Sequence, residues 1–266
     1  MNRHLKTRLT ESQILDIFVA VTDAVAHMHS LSILHRDLKI ENILQSGPKS
    51  FKLCDFGSAT HLKPNYKPSN LDEIKALEAD LNKHTTIQYR APEMVDPYQC
   101  RIIDEKADVW ALGVLLYKLC YYTTPFEQNG PLAILNVQYT IPNYPLYSSS
   151  LNTLICGFYN ALCDCLTFII ASMLREQSSQ RPSAVEILKR VHQMRGTMHE
   201  FKVSIESPFF SSNTVSHHLQ NPSSNHHLCL SRQEDLFRVQ LRVLRRSQPS
   251  RKLYTPNQAI SFLLLT

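Results

Sequence analysis

Glycine is scarce in this chain: six residues in 266, the first of them Gly47. Nothing before His35 reads as Gly-x-Gly-x-x-Gly, and no Val-Ala-Ile-Lys-like strand with its lysine is present there. A glycine-built cradle for a phosphate chain is therefore not expected from that segment. Charge is also thin, with a formal net charge of +5 and the basic residues dispersed until the last third, which argues against nucleic-acid binding. The start, Met1-Asn2-Arg3-His4-Leu5-Lys6, is polar and basic, so no apolar targeting segment is expected. The seven cysteines (Cys54, Cys100, Cys120, Cys156, Cys163, Cys165 and Cys229) are odd in number, which excludes a complete disulfide framework. Cys163-Asp164-Cys165 lacks the two-residue spacer and the second pair of a zinc site. These are read as reduced thiols of a cytoplasmic protein.

What is present suffices for one core. Hydrophobic residues make up 43% of the chain, and one domain with a tail is the simplest division. Thr10-Glu11-Ser12-Gln13 has the form of a capping box. Ile14, Phe18, Val21, Val25 and Met28 then recur at three- and four-residue steps, predicting an amphipathic helix over 11–29. Phe51-Lys52-Leu53-Cys54 alternates as a short strand. Residues 61–80 are polar, rich in Lys, Pro, Asn and Glu. Asp104 precedes a helix over 105–122 that is apolar on nearly every face and must therefore be central. Asp108 lies within it and needs backbone donors if buried. Pro131 opens a helix over 131–137, and Ser183-Ala184-Val185-Glu186 caps a last helix ending near Gly196.

Three short motifs carry the chemistry. His35-Arg36-Asp37-Leu38-Lys39-Ile40-Glu41-Asn42, Asp55-Phe56-Gly57 and Ala91-Pro92-Glu93 follow in order, 18 residues from Asp37 to Asp55 and 38 from Asp55 to Glu93. Each alone is weak; together they resemble the catalytic half of a protein kinase. Phosphoryl transfer asks for an oriented hydroxyl, placed metals and charge neutralisation, with little covalent work by the protein. The resemblance implies that Asp37 orients the attacking hydroxyl and that Lys39 sets a positive charge beside the moving phosphoryl group. Asn42 and Asp55 are implied to hold Mg²⁺ on the phosphates of ATP. Leu44 would form the floor of the adenine site. Cys54 either lines the back of the nucleotide site or is a buried apolar cysteine. Lys39 with Thr86, three residues before Tyr89, resembles serine/threonine kinases, with Thr86 bonded towards Asp37 and Lys39. His35, Phe56 and Gly57 are structural in this pattern, Gly57 giving the turn its backbone freedom. Asp108 is expected to hold the loop from below, and Arg181 to pair with Glu93. Residues 61–80 become the activation segment, where Arg36 pairs either with a phosphorylated residue or with a carboxylate.

Longer strings narrow the likeness: Lys52 through Thr60, His84 through Val95, Asp104 through Pro125 and the run Leu116-Tyr117-Lys118-Leu119-Cys120-Tyr121-Tyr122. They resemble the Numb-associated kinases, most closely the fungal actin-regulating branch, over roughly residues 2–155 and 171–196. That resemblance implies a cytoplasmic serine/threonine kinase of endocytosis and cortical actin, acting on endocytic adaptor or coat proteins.

The expected fold is mainly α, the large lobe of a kinase with a small hairpin beside the catalytic loop and without the smaller lobe. Residues 1–196 form that lobe and 197–266 a poorly ordered tail, rich in Ser, His and Asn at its start. Residues 236–246 alternate with four arginines. Residues 156–170 read as an insertion, since joining Ile155 to Ala171 restores the family's pattern, and Phe158, Phe168 and Ile169 have no evident pocket. The apolar window 154–174 contains Asn160 and Asp164, so no transmembrane helix is expected. Three readings stay open: an active kinase, an inert lobe that binds partners, and an incomplete gene model.

Overall fold

The computed structural model describes residues 8–147 and 165–197. The first helix, α1 (Glu11–Ser30), starts at the predicted capping box: Thr10 accepts from the Gln13 N–H, and the Gln13 side chain returns to the Thr10 N–H. Its apolar face, with Ile14, Phe18, Val21 and Val25 buried, packs on the last helix and on the hairpin described next.

Two small antiparallel ladders follow. β1 (Ile33–Leu34) pairs with β4 (Thr60–His61), and β2 (Ile43–Gly47) pairs with β3 (Ser50–Leu53), Ile43 opposite Leu53. These ladders bracket the 35–42 loop on one side and the 54–57 turn on the other, and so hold the two motif segments together.

The polar 61–80 stretch differs from expectation. Its second half belongs to α2 (Leu71–His84), a helix of 14 residues. Asn70 caps it by accepting from the Glu73 N–H, and Asp72 and Glu73 favour its positive N-terminal end. Only Leu81 of this helix is buried, so no apolar stripe announces it.

A short helix, α3 (Pro92–Val95), leads to α4 (Lys106–Tyr121). Thirteen of its sixteen residues are buried, as a central helix requires. It starts one residue later than predicted, with Asp104 Oδ1 accepting from the Lys106 N–H at 2.9 Å. α5 spans Gly130–Leu135, α6 Cys165–Met173 and α7 Ala184–Met194, the last opened by the Ser183–Glu186 capping box. Gly113 of α4 permits the close approach of α6. A Cβ there would lie 2.9 Å from Leu174 Cδ2 and 3.0 Å from Met173 Cβ.

The proposed insertion, 156–170, lies outside the described residues over 156–164. Its remainder needs a correction. Residues 165–170 start α6, and Leu166, Ile169 and Ile170 are buried at 2% exposure or less. Ile169 therefore has a core position; Phe168, 43% exposed, does not. No helix among the described residues is long and apolar enough to cross a membrane. The tail beyond residue 197 lies outside the described residues.

Candidate active site

Asp37 is the centre of the site. Its Oδ2 accepts from Lys39 Nζ at 2.6 Å and Asn42 Nδ2 at 3.2 Å, and its Oδ1 accepts from Thr86 Oγ1 at 2.7 Å. Lys39 Nζ also donates to Thr86 Oγ1 at 3.1 Å. Three residues from two distant segments thus converge on one carboxylate. Burial alone would raise the Asp37 pKa. The bonds from Lys39, Thr86 and Asn42, with the Lys39 charge, overcome burial and hold it below the ordinary carboxylate value. The group is ionised at neutral pH and aimed.

The backbone beneath it is fixed by α4. Asp108, buried, accepts from the His35 N–H at 2.8 Å (Oδ2) and the Arg36 N–H at 2.9 Å (Oδ1), and Oδ2 also meets His29 Nε2 at 3.0 Å. Burial opposes its charge, and those partners more than compensate, so its pKa lies below the ordinary value. Arg36 takes a left-handed backbone, φ +68°, which a non-glycine residue holds only when its surroundings insist. His29 carries no signal in the sequence; its place as the next-to-last residue of α1 is what brings it to Asp108.

His35 joins the loop to the following turn. Asp37 N–H can only donate, so His35 Nδ1 accepts it at 3.3 Å; the Cys54 carbonyl can only accept, so Nε2 carries the proton towards it at 3.3 Å. Burial disfavours the imidazolium, and the His35 pKa lies below the usual histidine value. Its ring stands 5.4 Å from Phe56, centroid to centroid.

Asn42 supplies the second link. Its Nδ2 donates to the Asp37 carbonyl at 2.8 Å as well as to the carboxylate, and its own carbonyl accepts from the Cys54 N–H at 2.9 Å and Sγ at 3.1 Å. That leaves Asn42 Oδ1 for a cation. Burial, then the Asp55 charge, pushes the Cys54 thiol up to about 11, so it stays protonated.

Asp55 is exposed, at φ +61°, with Oδ1 accepting from the Gly57 N–H at 3.3 Å. The expectation for Gly57 is corrected here. The left-handed residue of the turn is Asp55, and Gly57 packs close to it, since a Cβ there would lie 3.2 Å from Asp55 Oδ1 and the carboxylate would have to shift. Asn42 and Asp55 offer oxygen ligands of the kind Mg²⁺ takes alongside phosphate and water. Leu44 is partly exposed on β2 next to them. The fit for Mg²⁺ is chemically sound.

Arg36 meets a carboxylate in the unmodified chain: its Nη1 reaches Asp80 Oδ2 of α2 at 2.5 Å and its Nε donates to the Ser58 carbonyl at 2.8 Å. Arg90 ties the same helix to the strip bearing Thr86, bonding Asn82 Oδ1, the Leu81 carbonyl and Thr85 Oγ1 at 2.9, 3.0 and 2.6 Å. Neither Asp80 nor Arg90 was singled out in the sequence; the capping pattern Asn70-x-x-Glu73 was the available sign of their helix. Arg181 and Glu93 form a two-point ion pair at 2.6 and 2.8 Å, both buried, with the Arg181 guanidinium 5.0 Å from the Trp110 ring centre. His35, Arg36, Asp37, Lys39 and Asn42 share one network with Cys54, Thr86 and Asp108, and the Glu93–Arg181 pair forms a second one of its own.

Sequence comparison agrees with this geometry. Serine/threonine-protein kinase ppk30 of Schizosaccharomyces pombe is 49% identical over 200 residues, 74% of this chain and 19% of that protein. Actin-regulating kinase 1 of Saccharomyces cerevisiae is 44% identical over 198 residues, 73% of this chain and 28% of that protein. Actin-regulating kinase PRK1 of the same yeast is 42% identical over 198 residues, covering 73% and 22%. The chain spans between 19% and 28% of the length of these relatives. The protein kinase domain itself matches residues 1–192, and by that match the chain belongs to the protein kinase domain family.

Proposed function

We propose that this chain carries the metal- and hydroxyl-side machinery of a serine/threonine protein kinase, with ATP and Mg²⁺ as co-substrate and cofactor. The observation that carries the reading is the Asp37 carboxylate held by Lys39, Asn42 and Thr86. Asp37 accepts the hydrogen of a Ser or Thr hydroxyl and orients its oxygen towards the γ-phosphorus. Lys39, at hydrogen-bond distance from Asp37, neutralises charge growing on the phosphoryl oxygens. Mg²⁺, when bound, shields the phosphate charges; Asn42 Oδ1 and Asp55 are the oxygens that would hold it. Thr86 joins the substrate-facing strip to the base, so that a peptide laid along residues 86–89 is registered against Asp37.

Likeness to the actin-regulating kinases supports protein substrates of endocytic adaptor or coat type and a place in the cytoplasm at cortical actin. Their branch of the Numb-associated family is the proposed kinship.

A second reading rests on its own observation: the 266 residues contain no Gly-x-Gly-x-x-Gly run. We propose that the chain by itself corresponds to the large lobe alone and transfers phosphate slowly or not at all, acting at most as a binding module. Positioning and a closed, dry site supply most of the rate in this chemistry. The test is phosphate transfer from Mg·ATP to a threonine peptide, with Asp37→Asn as the blank. Measurable turnover abolished by Asp37→Asn supports the kinase reading for this chain. Turnover equal to the blank, with the network intact by spectroscopy, supports the inert lobe.

A further inference from the structure

The strip assigned above to the substrate peptide ends at Tyr89, and charged groups gather round that residue. Glu41 belongs to the short turn Ile40–Asn42, which also carries Asn42 to Asp37. Its side chain is 57% exposed. Lys118 of α4 meets it: Nζ lies 3.6 Å from Glu41 Oε1 and 5.8 Å from the centre of the Tyr89 ring. Burial, then the charge of Glu41, with smaller shares from Asp37 and Glu127, pushes the Tyr89 hydroxyl above its ordinary pKa. One tyrosine thus feels the catalytic carboxylate and the two outer ones. Glu41 and Lys118 therefore stand at the edge of the phosphoryl-transfer centre.

An exposed carboxylate at that edge is a ready partner for an arginine or lysine of a peptide. Lys39 does not serve Glu41, because it is bonded to Asp37 at 2.6 Å and to Thr86 at 3.1 Å. Glu127 has its own partners, with Oε2 accepting from Thr123 Oγ1 at 2.6 Å and from the Thr124 N–H at 3.2 Å. Lys118 is the cation that answers Glu41. Its side chain is only 21% exposed, and the Tyr89 ring adds an attraction that keeps the ammonium in place. A cation held there offsets the carboxylate and repels an incoming guanidinium or ammonium.

We propose that Lys118 is a specificity-determining residue of the substrate strip: it cancels Glu41, so that the site takes a Ser or Thr peptide with no basic residue beside the acceptor. The proposal rests on the reading of residues 86–89 as the peptide strip. Its structural rival is that Lys118 serves only the negative end of α4, in whose last turn it lies.

The test measures binding and needs no turnover. The whole 266-residue chain, labelled with ¹⁵N, is titrated with capped Gly/Ala peptides that carry one threonine, and the amide resonances of residues 86–89 are followed. A single arginine is placed in turn at each position from four before the threonine to four after it. The reference peptides carry citrulline, the uncharged isostere, at the same places. In the unmodified chain the two sets should bind within about twofold of each other at every position, less than one solvent-facing charge pair gives. Lys118→Met keeps the apolar stem and loses the charge. It should prefer arginine by about threefold to fivefold at one or two neighbouring positions, the scale of one solvent-facing charge pair, and the preference should shrink at high salt. Adding Glu41→Gln should remove it, while Lys118→Arg alone should behave as the unmodified chain. A purely structural lysine would move the melting temperature of Lys118→Met and leave its arginine-to-citrulline ratio unchanged. The proposal is overturned by that result, by a threefold arginine preference in the unmodified chain, by a gain that survives Glu41→Gln, or by the absence of any peptide-dependent shift at residues 86–89. The kinase reading fails separately, on turnover equal to the Asp37→Asn blank.

Discussion

Arg36 and Asp80 meet at 2.5 Å, and through that contact α2 is fastened to the residue beside Asp37. Arg36 is itself gripped through its backbone by Asp108 and through Nε by the Ser58 carbonyl. The helix has little else to hold it: Leu81 is its one buried residue, and its other tethers are Arg90 and the Tyr98 hydroxyl, which donates to Glu78 Oε2 at 3.3 Å. Elements with few buried contacts open locally at low cost.

Asp80→Ala should therefore cost about 1 kcal/mol of global stability, as the pair is partly solvent-exposed. The local effect is larger. Amide hydrogen exchange over residues 71–84 should speed up about tenfold, while α1 and α4 keep their protection. Unchanged exchange in α2 would show that Arg36–Asp80 does not hold it.

The pH dependence of stability should carry a signature of His35. Its folded-state pKa is depressed below the ordinary 6.5, so the unfolded chain binds the proton more readily. Stability from this group is full above pH 6.5 and is lost as pH falls through that value towards the folded one. Urea unfolding at pH 7.5, 6.5 and 5.5 should show this decline in the unmodified chain and a flatter profile in His35→Asn. Identical slopes in the two would remove the imidazole as the cause.

Val137 has φ +52°, a β-branched side chain in the left-handed region. Relief of that strain by Val137→Gly should raise stability by about 1 kcal/mol, or about 2–4 °C in melting temperature. Val137→Ala keeps a Cβ at the same φ and should give little of this gain. Calorimetry on the three proteins decides it; equal melting temperatures for the glycine and valine forms would show that the backbone there is not strained.

Deleting residues 156–170 should leave a folded chain. Leu151-Asn152-Thr153-Leu154-Ile155 has apolar residues at the same three places as Leu166-Thr167-Phe168-Ile169-Ile170. Once Ile155 is joined to Ala171, Leu151, Leu154 and Ile155 fall on the core positions of Leu166, Ile169 and Ile170, and Thr153 replaces the exposed Phe168. The expected outcome is a melting temperature within about 3 °C of the parent, a change of roughly 1 kcal/mol, with higher solubility. A non-cooperative melt would show that only residues 166–170 can fill that groove.

The same comparison explains what the sequence could and could not tell. Thr10 with Gln13 and Ser183 with Glu186 were readable because a capping box is a local pattern, and α4 because thirteen buried positions in one helix leave no polar face to misread. The convergence on Asp37 was readable because motif order fixes it. α2 was not, since a helix with one buried leucine has no apolar period to detect. The start of α6 was ambiguous because residues 151–155 repeat the apolar spacing of residues 166–170. Gly57 misled for a different reason: close packing against Asp55 and a positive φ both select glycine, and only coordinates separate them.

Asp108 rides on α4, and α4 lies against α6 at a seam where Gly113 leaves no room for a methyl group. A tight contact in the hydrophobic interior is therefore linked, through one helix and one carboxylate, to the N–H groups that set the 35–37 backbone. Gly113→Ala must displace either α4 or Leu174 by a few tenths of an ångström. A shift of α4 carries Asp108 with it, and Asp108 holds the His35 and Arg36 N–H groups at 2.8 and 2.9 Å, next to Asp37. Misplacement by about an ångström costs about a hundredfold in rate when geometry supplies the catalysis. Mutational tolerance in this chain is thus graded by connection to that rod, and a buried methyl group far from any substrate can matter more than a charge at the rim.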